Sequence, residues 1–149
     1  MVDRQNEPLA EPVPDTVAAT AKLTPYARSL GIKVGGMEGG LPLLTIEFSN
    51  IIEGRPGAFH GGATAGLLET AGYAALRTQL AADDREAILK PVNITVQYLA
   101  AGLPKPTYAL GRITRLGRRS ANVTVEAWQD DRERLIASAV MNIMIAEPE

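Results

Sequence analysis

The sequence predicts an α+β domain in which an antiparallel sheet of five to six strands wraps around one long central helix. The stretch from His60 to about Leu80 is mostly apolar and has no wide polar face, which is typical of a buried helix. The segments after it have strand-like patterns, with no second helical pattern between them. Such strands must run largely antiparallel, and we expect a meander.

Residues 1–18 are rich in Pro, Glu and Asp and contain few bulky apolar side chains. This composition predicts a flexible N-terminal arm, followed by one folded domain at residues 19–149. The arm lacks the basic start and apolar stretch of a secretory signal, and we expect a cytoplasmic protein.

Two short elements are predicted before the long helix. "LTPYARSLG" is typical of a brief helix, because Thr24 can cap it, Pro25 suits its first position and Gly31 ends it. "IKVGGMEGGLPLLTIEFSN" predicts a hairpin of two strands that turns at Gly39 and Gly40.

Strand patterns fill the chain after the long helix, in "AILKPVNITVQYLAA", "PTYALGRITRLG", "SANVTVEAWQD" and "RLIASAVMNIMIA". The third alternates apolar and polar side chains with period two, as a half-buried strand does. The last is too continuously apolar for a strand with one wet face. We therefore expect oligomerisation to cover part of the outer sheet face.

Glu69 is an acid within the apolar helix. By helical spacing it shares a face with Ala65, Gly66, Gly72 and Tyr73. A helical glycine costs about 1 kcal/mol relative to alanine, so Gly66 and Gly72 suggest close approach by a second helix or a substrate. The plainer alternative is that Glu69 is a solvated helix residue and that the glycines ease packing.

The helix starts with "FHGG", which offers no Ser, Thr, Asp or Asn as a cap. First-turn N–H groups lack helical partners, and Gly61 and Gly62 have no side chains to shield them. At the positive end of the helix dipole, such N–H groups can hold an anion or polarise a carbonyl. His60 can cap the turn, line a pocket there or act in catalysis.

Composition and charge exclude several classes of function. A net charge of −2 gives no basic field for nucleic acid or an anionic membrane surface. The chain has no cysteine and one histidine, so it has no disulfide or thiolate nucleophile and few plausible metal ligands. We expect no metal and no cofactor.

The helix "HGGATAGLLETAGYAA" resembles the signature of the hotdog-fold acyl-CoA thioesterases of the phenylacetate-degradation (PaaI-like) family. In that family His-Gly-Gly is followed on the same helix by a catalytic Asp or Glu, and the spacing from His60 to Glu69 matches. The similarity covers about residues 24–146, with "VNITVQYLAA" at the family's central strand and "RLGRRSANVTVEAWQDDRERLIASA" at its late hairpin. It implies the hotdog fold and hydrolysis of an acyl-CoA, for which we expect a medium-chain or aromatic acyl group.

The resemblance also implies roles for residues of the helix. Glu69 would attack the thioester carbonyl or activate water, and the Gly61 N–H would polarise that carbonyl. His60 and Gly62 belong to the same turn and would contribute to the site. Tyr73 stands where some members have Ser or Thr, so its hydroxyl can substitute for theirs or its ring can simply fill space.

Outside the helix, the resemblance implies that Asn93 and Tyr98 line the acyl and pantetheine tunnel. Arg118 and Arg119 would meet the nucleotide phosphates at its mouth, since the arginine fork suits phosphate. Each arginine also fits the alternative of a solvated hairpin tip.

One departure keeps a second function open. The family often has Asn or Gln six residues before the histidine, and this chain has Gly54 there. The alternative is therefore a catalytically poor module that binds acyl-CoA as a sensor or carrier. A hotdog hydratase ranks lower, because it needs a histidine downstream of its acid and His60 lies before Glu69.

Helix geometry predicts an active site shared between two subunits. Gly61 and Glu69 are eight residues apart, about 12 Å along a helix, whereas a reacting carbonyl must lie about 3 Å from both. Two antiparallel helices across a two-fold axis would pair Gly61 of one chain with Glu69 of the other. We expect such a homodimer, with Gly66 and Gly72 at its close approach, and by resemblance a homotetramer of two dimers.

Overall fold

The computed structural model describes residues 21–148, so the arm expected at residues 1–18 and the domain boundary at residue 19 lie outside the described residues. Helix α1 (Pro25–Ser29) begins as predicted, because the Thr24 hydroxyl accepts a hydrogen bond from the Ala27 N–H at 3.1 Å. Helix α2 (Gly61–Ala82) is the predicted long helix. No helix within the described residues is long and apolar enough to cross a bilayer.

Six strands form one sheet in which every neighbouring pair is antiparallel. They are β1 (Lys33–Glu38), β2 (Leu41–Ile46), β3 (Ile88–Tyr98), β4 (Thr107–Leu116), β5 (Ser120–Trp128) and β6 (Leu135–Ala146). Gly39 and Gly40, both at positive φ, make the predicted turn between β1 and β2. Helix α2 packs on one face of this sheet, which gives the predicted α+β architecture.

The strand order is β1-β2-β4-β5-β6-β3, so the expected meander holds for β4, β5 and β6 but is wrong for β3. This strand pairs with β6 at the edge of the sheet. Pro91 has no N–H to donate, which suits a strand with one unpaired side. The register between β3 and β6 shifts between Pro91 and Asn93.

The core lies between α2 and the inner sheet face, where the helix approaches the strands closely. A Cβ on Gly72 would lie 2.3 Å from the Met141 sulfur of β6, so the approach expected at Gly72 from a second helix or a substrate is wrong. The second helix that approaches Gly66 is α1 of the same chain, which contacts it through Tyr26 and the C-cap residue Leu30. Neither glycine therefore needs a second subunit to explain it.

The outer face of β6 carries polar and apolar side chains alternately. Val140 and Met144 point outward and are 49% and 46% exposed. Nothing within residues 21–148 covers them, so the cover expected from oligomerisation remains a prediction.

Candidate active site

Helix α2 begins with a histidine cap. The Nδ1 of His60 accepts a hydrogen bond from the Gly62 N–H at 2.9 Å. The backbone N–H of His60 donates to the Ile52 carbonyl at 2.7 Å and ties the helix start to the preceding loop. The structure thus places His60 as a cap, and the Gly62 N–H already has a partner.

Gly61 keeps its own N–H free. Within residues 21–148 this N–H meets no acceptor, whereas the Gly61 carbonyl accepts a hydrogen bond from the Tyr98 hydroxyl at 2.9 Å. Tyr98 reaches Gly61 from the end of β3. A free first-turn N–H at the positive end of a helix is a donor suited to a developing oxyanion.

A cleft of about 530 Å³ opens around this turn and is called the Gly61 cleft below. The loop before α2, the first turn of α2 and the segment after β3 form its walls. Its polar side chains are Arg55, His60, Thr64 and Tyr98. This volume lies in the usual range for small-molecule sites.

Glu69 lines a different and smaller cavity of about 140 Å³, called the Glu69 cavity below. Its side chain is exposed, and within the described residues its carboxylate accepts no hydrogen bond and forms no ion pair. The prediction that α2 is a buried helix is therefore wrong at Glu69, although Gly66 and Gly72 on either side of it are buried. An unpaired carboxylate beside a cavity can act as a nucleophile or a base.

The Tyr73 hydroxyl, one turn after Glu69, lines the same cavity. It is buried and has no hydrogen-bond partner within residues 21–148. Burial raises the pKa of Tyr73, the negative charge of Glu69 raises it further, and Arg77 opposes both. A neutral buried hydroxyl without a partner is a group that a ligand can satisfy.

Arg77 is a site residue that the sequence reasoning missed. Its guanidinium lies 5.3 Å from the centre of the Tyr73 ring and lines the Glu69 cavity. Burial is the main cause that lowers the pKa of Arg77. The signal was present in the sequence, because Glu69, Tyr73 and Arg77 recur every four residues on one helix face.

One chain does not bring the free amide and the free carboxylate together. Gly61 lines the Gly61 cleft and Glu69 lines the Glu69 cavity, and neither residue lines the other's cavity. Eight residues of helix separate them, which is about 12 Å.

The structure also separates Asn93 from Tyr98. Tyr98 lines the Gly61 cleft, whereas Asn93 alternates with the core-packed Ile94 and therefore points to the outer sheet face. There its Oδ1 accepts a hydrogen bond from Asn142 at 2.7 Å. The expectation that β3 is a central strand is wrong for a single chain, because β3 lies at the sheet edge. Since Asn93 lies on the outer sheet face, one chain does not place both residues in one tunnel.

Arg118 and Arg119 lie exposed in the turn between β4 and β5. Arg85, just beyond α2, anchors this turn by donating to the carbonyls of Gly117 and Arg118 at 3.2 and 3.1 Å. The turn is therefore at the opposite end of α2 from Gly61. Within one chain the two arginines do not reach the Gly61 cleft.

Sequence comparison assigns the family. The sequence model of the thioesterase superfamily matches residues 56–136, which include all of α2 with Gly61 and Glu69. The chain belongs to the thioesterase superfamily. A comparison with curated proteins gives no match.

Solved structures share the fold of this superfamily chain. A protein related to the thioesterase superfamily from Shewanella oneidensis is 22% identical, with a TM-score of 0.74 and coverage of 88% of this chain and 94% of that one. A thioesterase family protein from Silicibacter pomeroyi is 20% identical, with a TM-score of 0.72 and coverage of 89% and 96%. The PaaI protein of the E. coli phenylacetic acid degradation operon is 19% identical, with a TM-score of 0.66 and coverage of 79% and 86%. These similarities confirm the predicted hotdog fold.

Gly54 of this thioesterase-superfamily chain has a packing explanation. A Cβ at this position would lie 2.9 Å from the His60 Cα, closer than real Cβ contacts allow. The loop therefore has no room for the Asn or Gln that the resemblance would place there. Gly54 lines the Gly61 cleft without contributing an amide side chain.

Proposed function

We propose that the protein is an acyl-CoA thioesterase that hydrolyses its substrate to a free acid and CoA. The observation that carries the proposal is the unpaired Glu69 carboxylate on the helix that begins with the free Gly61 N–H. The two groups supply a nucleophile or base and an oxyanion donor, which are the parts that thioester hydrolysis needs. We propose a medium-chain or aromatic acyl group as the substrate class.

Glu69 can act in either of two ways. As a nucleophile, its carboxylate attacks the carbonyl carbon, the C–S bond breaks with release of CoA thiolate, and water hydrolyses the resulting anhydride. As a base, it takes a proton from a water molecule that attacks the carbonyl directly, and the thiolate again leaves. In both routes the Gly61 N–H stabilises the oxyanion.

The separation of Gly61 from Glu69 supports a site built from two chains. Antiparallel α2 helices across a two-fold axis would give two equivalent sites, each with Gly61 of one chain and Glu69 of its partner. The same pairing brings the Arg118 end of one chain toward the Gly61 end of the other, so these arginines could meet the CoA phosphates. Within the described residues the Glu69 side chain is exposed, as this dimer requires, whereas α1 of the same chain packs on Gly66 one turn earlier.

A tetramer of two such dimers would bury the outer face of β6. Val140 and Met144 are exposed there and provide the apolar contacts such an interface needs. Active sites would then be shared within each dimer, and the outer sheet faces would join the dimers.

Gly54 supports a second candidate function, that of an acyl-CoA-binding module with little catalysis. Because no amide side chain fits at this position, the Gly61 N–H is the one oxyanion donor that we identify within residues 21–148. A thiol-release assay with short, long, branched and aryl acyl-CoAs separates the two functions. We expect release from at least one of them, and it should persist in a chelator, since no cluster within residues 21–148 could hold a metal ion. Binding without release would favour the module.

A further inference from the structure

Three arginines among the described residues are partly buried, and Arg77 differs from the other two. Arg132 pairs with a carboxylate and Arg85 donates to two backbone carbonyls. The Arg77 guanidinium has no hydrogen-bond acceptor or ion pair within residues 21–148, and its contact is the Tyr73 ring. A partly desolvated guanidinium without an acceptor is costly, so an anionic group that reaches it would be bound well.

Arg77 also lies in the wall between two cavities. On one side is the Glu69 cavity, and on the other is a groove of about 540 Å³ that extends to Arg85 at the end of α2. Lys22 lines both cavities with Arg77. The carboxylates present are Glu69 in the first and Glu86 in the second, and neither pairs with Arg77.

We propose that Arg77 binds an anionic oxygen group of the thioester substrate, either a carboxylate on the acyl group or a phosphate of CoA. The proposal rests on the proposed thioesterase function. The planar guanidinium fork matches both groups. The unpartnered Tyr73 hydroxyl beside it can donate to the same anion.

The two sources correspond to the two sides of Arg77. An acyl carboxylate would reach it from the Glu69 cavity, because the arginine side chain leans back along the helix toward Tyr73 and Glu69. A CoA phosphate would reach it from the groove that leads to Arg85.

Four thioesters distinguish the sources. A neutral acyl group and an ω-carboxylated acyl group of equal length are each attached to CoA and to N-acetylcysteamine, which lacks phosphates. If Arg77 binds the acyl carboxylate, Arg77→Met lowers kcat/KM about tenfold or more for the carboxylated substrates on both carriers. If it binds a CoA phosphate, the loss occurs with both CoA thioesters and with neither N-acetylcysteamine thioester.

Two control variants test whether the loss depends on the charge at position 77. Arg77→Lys should recover part of the loss, because it keeps the charge and loses the fork. Arg112→Met removes an exposed arginine of β4 and should leave all four values unchanged. An equal loss on all four substrates, or no loss on any, would overturn the proposal.

Binding measurements separate this proposal from the proposed function. Dissociation constants for the same four thioesters are measured by calorimetry on Glu69→Gln chains with and without Arg77→Met. We expect the same pattern of weakened binding, which needs no turnover. Absent turnover in the wild-type chain would contradict the thioesterase function alone, whereas unchanged dissociation constants would contradict the role of Arg77 alone.

Discussion

The Tyr98 ring covers Gly61, and the two residues are joined by the 2.9 Å hydrogen bond from the Tyr98 hydroxyl to the Gly61 carbonyl. A methyl group added at Gly61 would lie 3.5 Å from this ring, which is an ordinary contact. An alanine therefore fits at this position and leaves the Gly61 N–H in place.

A matched pair of substitutions at Gly61 tests the oxyanion donor. Proline suits the first helical position, and His60 already has the extended backbone that a following proline requires. Gly61→Pro should therefore fold but lose the N–H, which lowers kcat about a hundredfold or more. Gly61→Ala should stay within a few-fold of wild type. Thiol release and thermal unfolding of both variants are the measurements, and equal kcat values would rule out the N–H as a donor.

Glu69→Gln should lower kcat on the order of a hundredfold or more while acyl-CoA still binds, because the amide keeps the shape but cannot attack or accept a proton. Glu133→Gln, at another exposed acid, is the control and should be neutral. Near-normal turnover of the Glu69 variant would show that Glu69 is a solvated helix residue without a catalytic role. Single-turnover hydrolysis in ¹⁸O-labelled water then tests the nucleophile route, because label enters the protein only if Glu69 attacks and water opens the anhydride at the Glu69 carboxyl carbon.

Tyr73→Phe should have opposite effects on stability and binding. Because the hydroxyl is buried without a partner, its removal should leave the free energy of unfolding unchanged or raise it by about 1 kcal/mol. KM should rise, since a substrate group would lose its donor. The pKa of Tyr73 is raised above its ordinary value of about 10 by burial, so the hydroxyl is protonated at both pH 7 and pH 9. The rise in KM should therefore be the same at both pH values. A destabilised variant with unchanged KM would instead show that the hydroxyl is bonded within the fold.

Short sequence patterns predicted where each helix begins. Thr24 and Pro25 gave the start of α1, and "FHGG" gave the start of α2 one residue after His60. The edge position of β3 depends on pairing with β6, which local periodicity does not contain. Pro91 within that strand is the local signal that indicates an edge or a bulge.

The candidate site was predictable only in part, because several of its features depend on tertiary packing. Glu69 was visible as an acid in an apolar helix, and the four-residue spacing to Arg77 could have identified that arginine. The contact of Gly72 with the sheet and the crowding of Gly54 against His60 depend on tertiary packing. The sequence shows a glycine in both cases but not what approaches it.

We expect each active site to take Gly61 from one chain and Glu69 from the other. Glu69→Ala and Gly61→Pro chains are co-expressed with different tags, and mixed dimers are confirmed by sequential purification. In a mixed dimer one site carries both defects and the other carries neither. Random association makes about half of the dimers mixed, so activity should recover to about one quarter of wild type.

The reciprocal mixture provides a second arm of the same measurement. A double variant, Glu69→Ala with Gly61→Pro, is co-expressed in equal amount with the wild-type chain. A shared site leaves both sites of each mixed dimer defective, so activity should fall to about one quarter of that of an all-wild-type sample. Sites within single chains would retain about one half and would give no recovery in the first mixture, which would contradict the shared site.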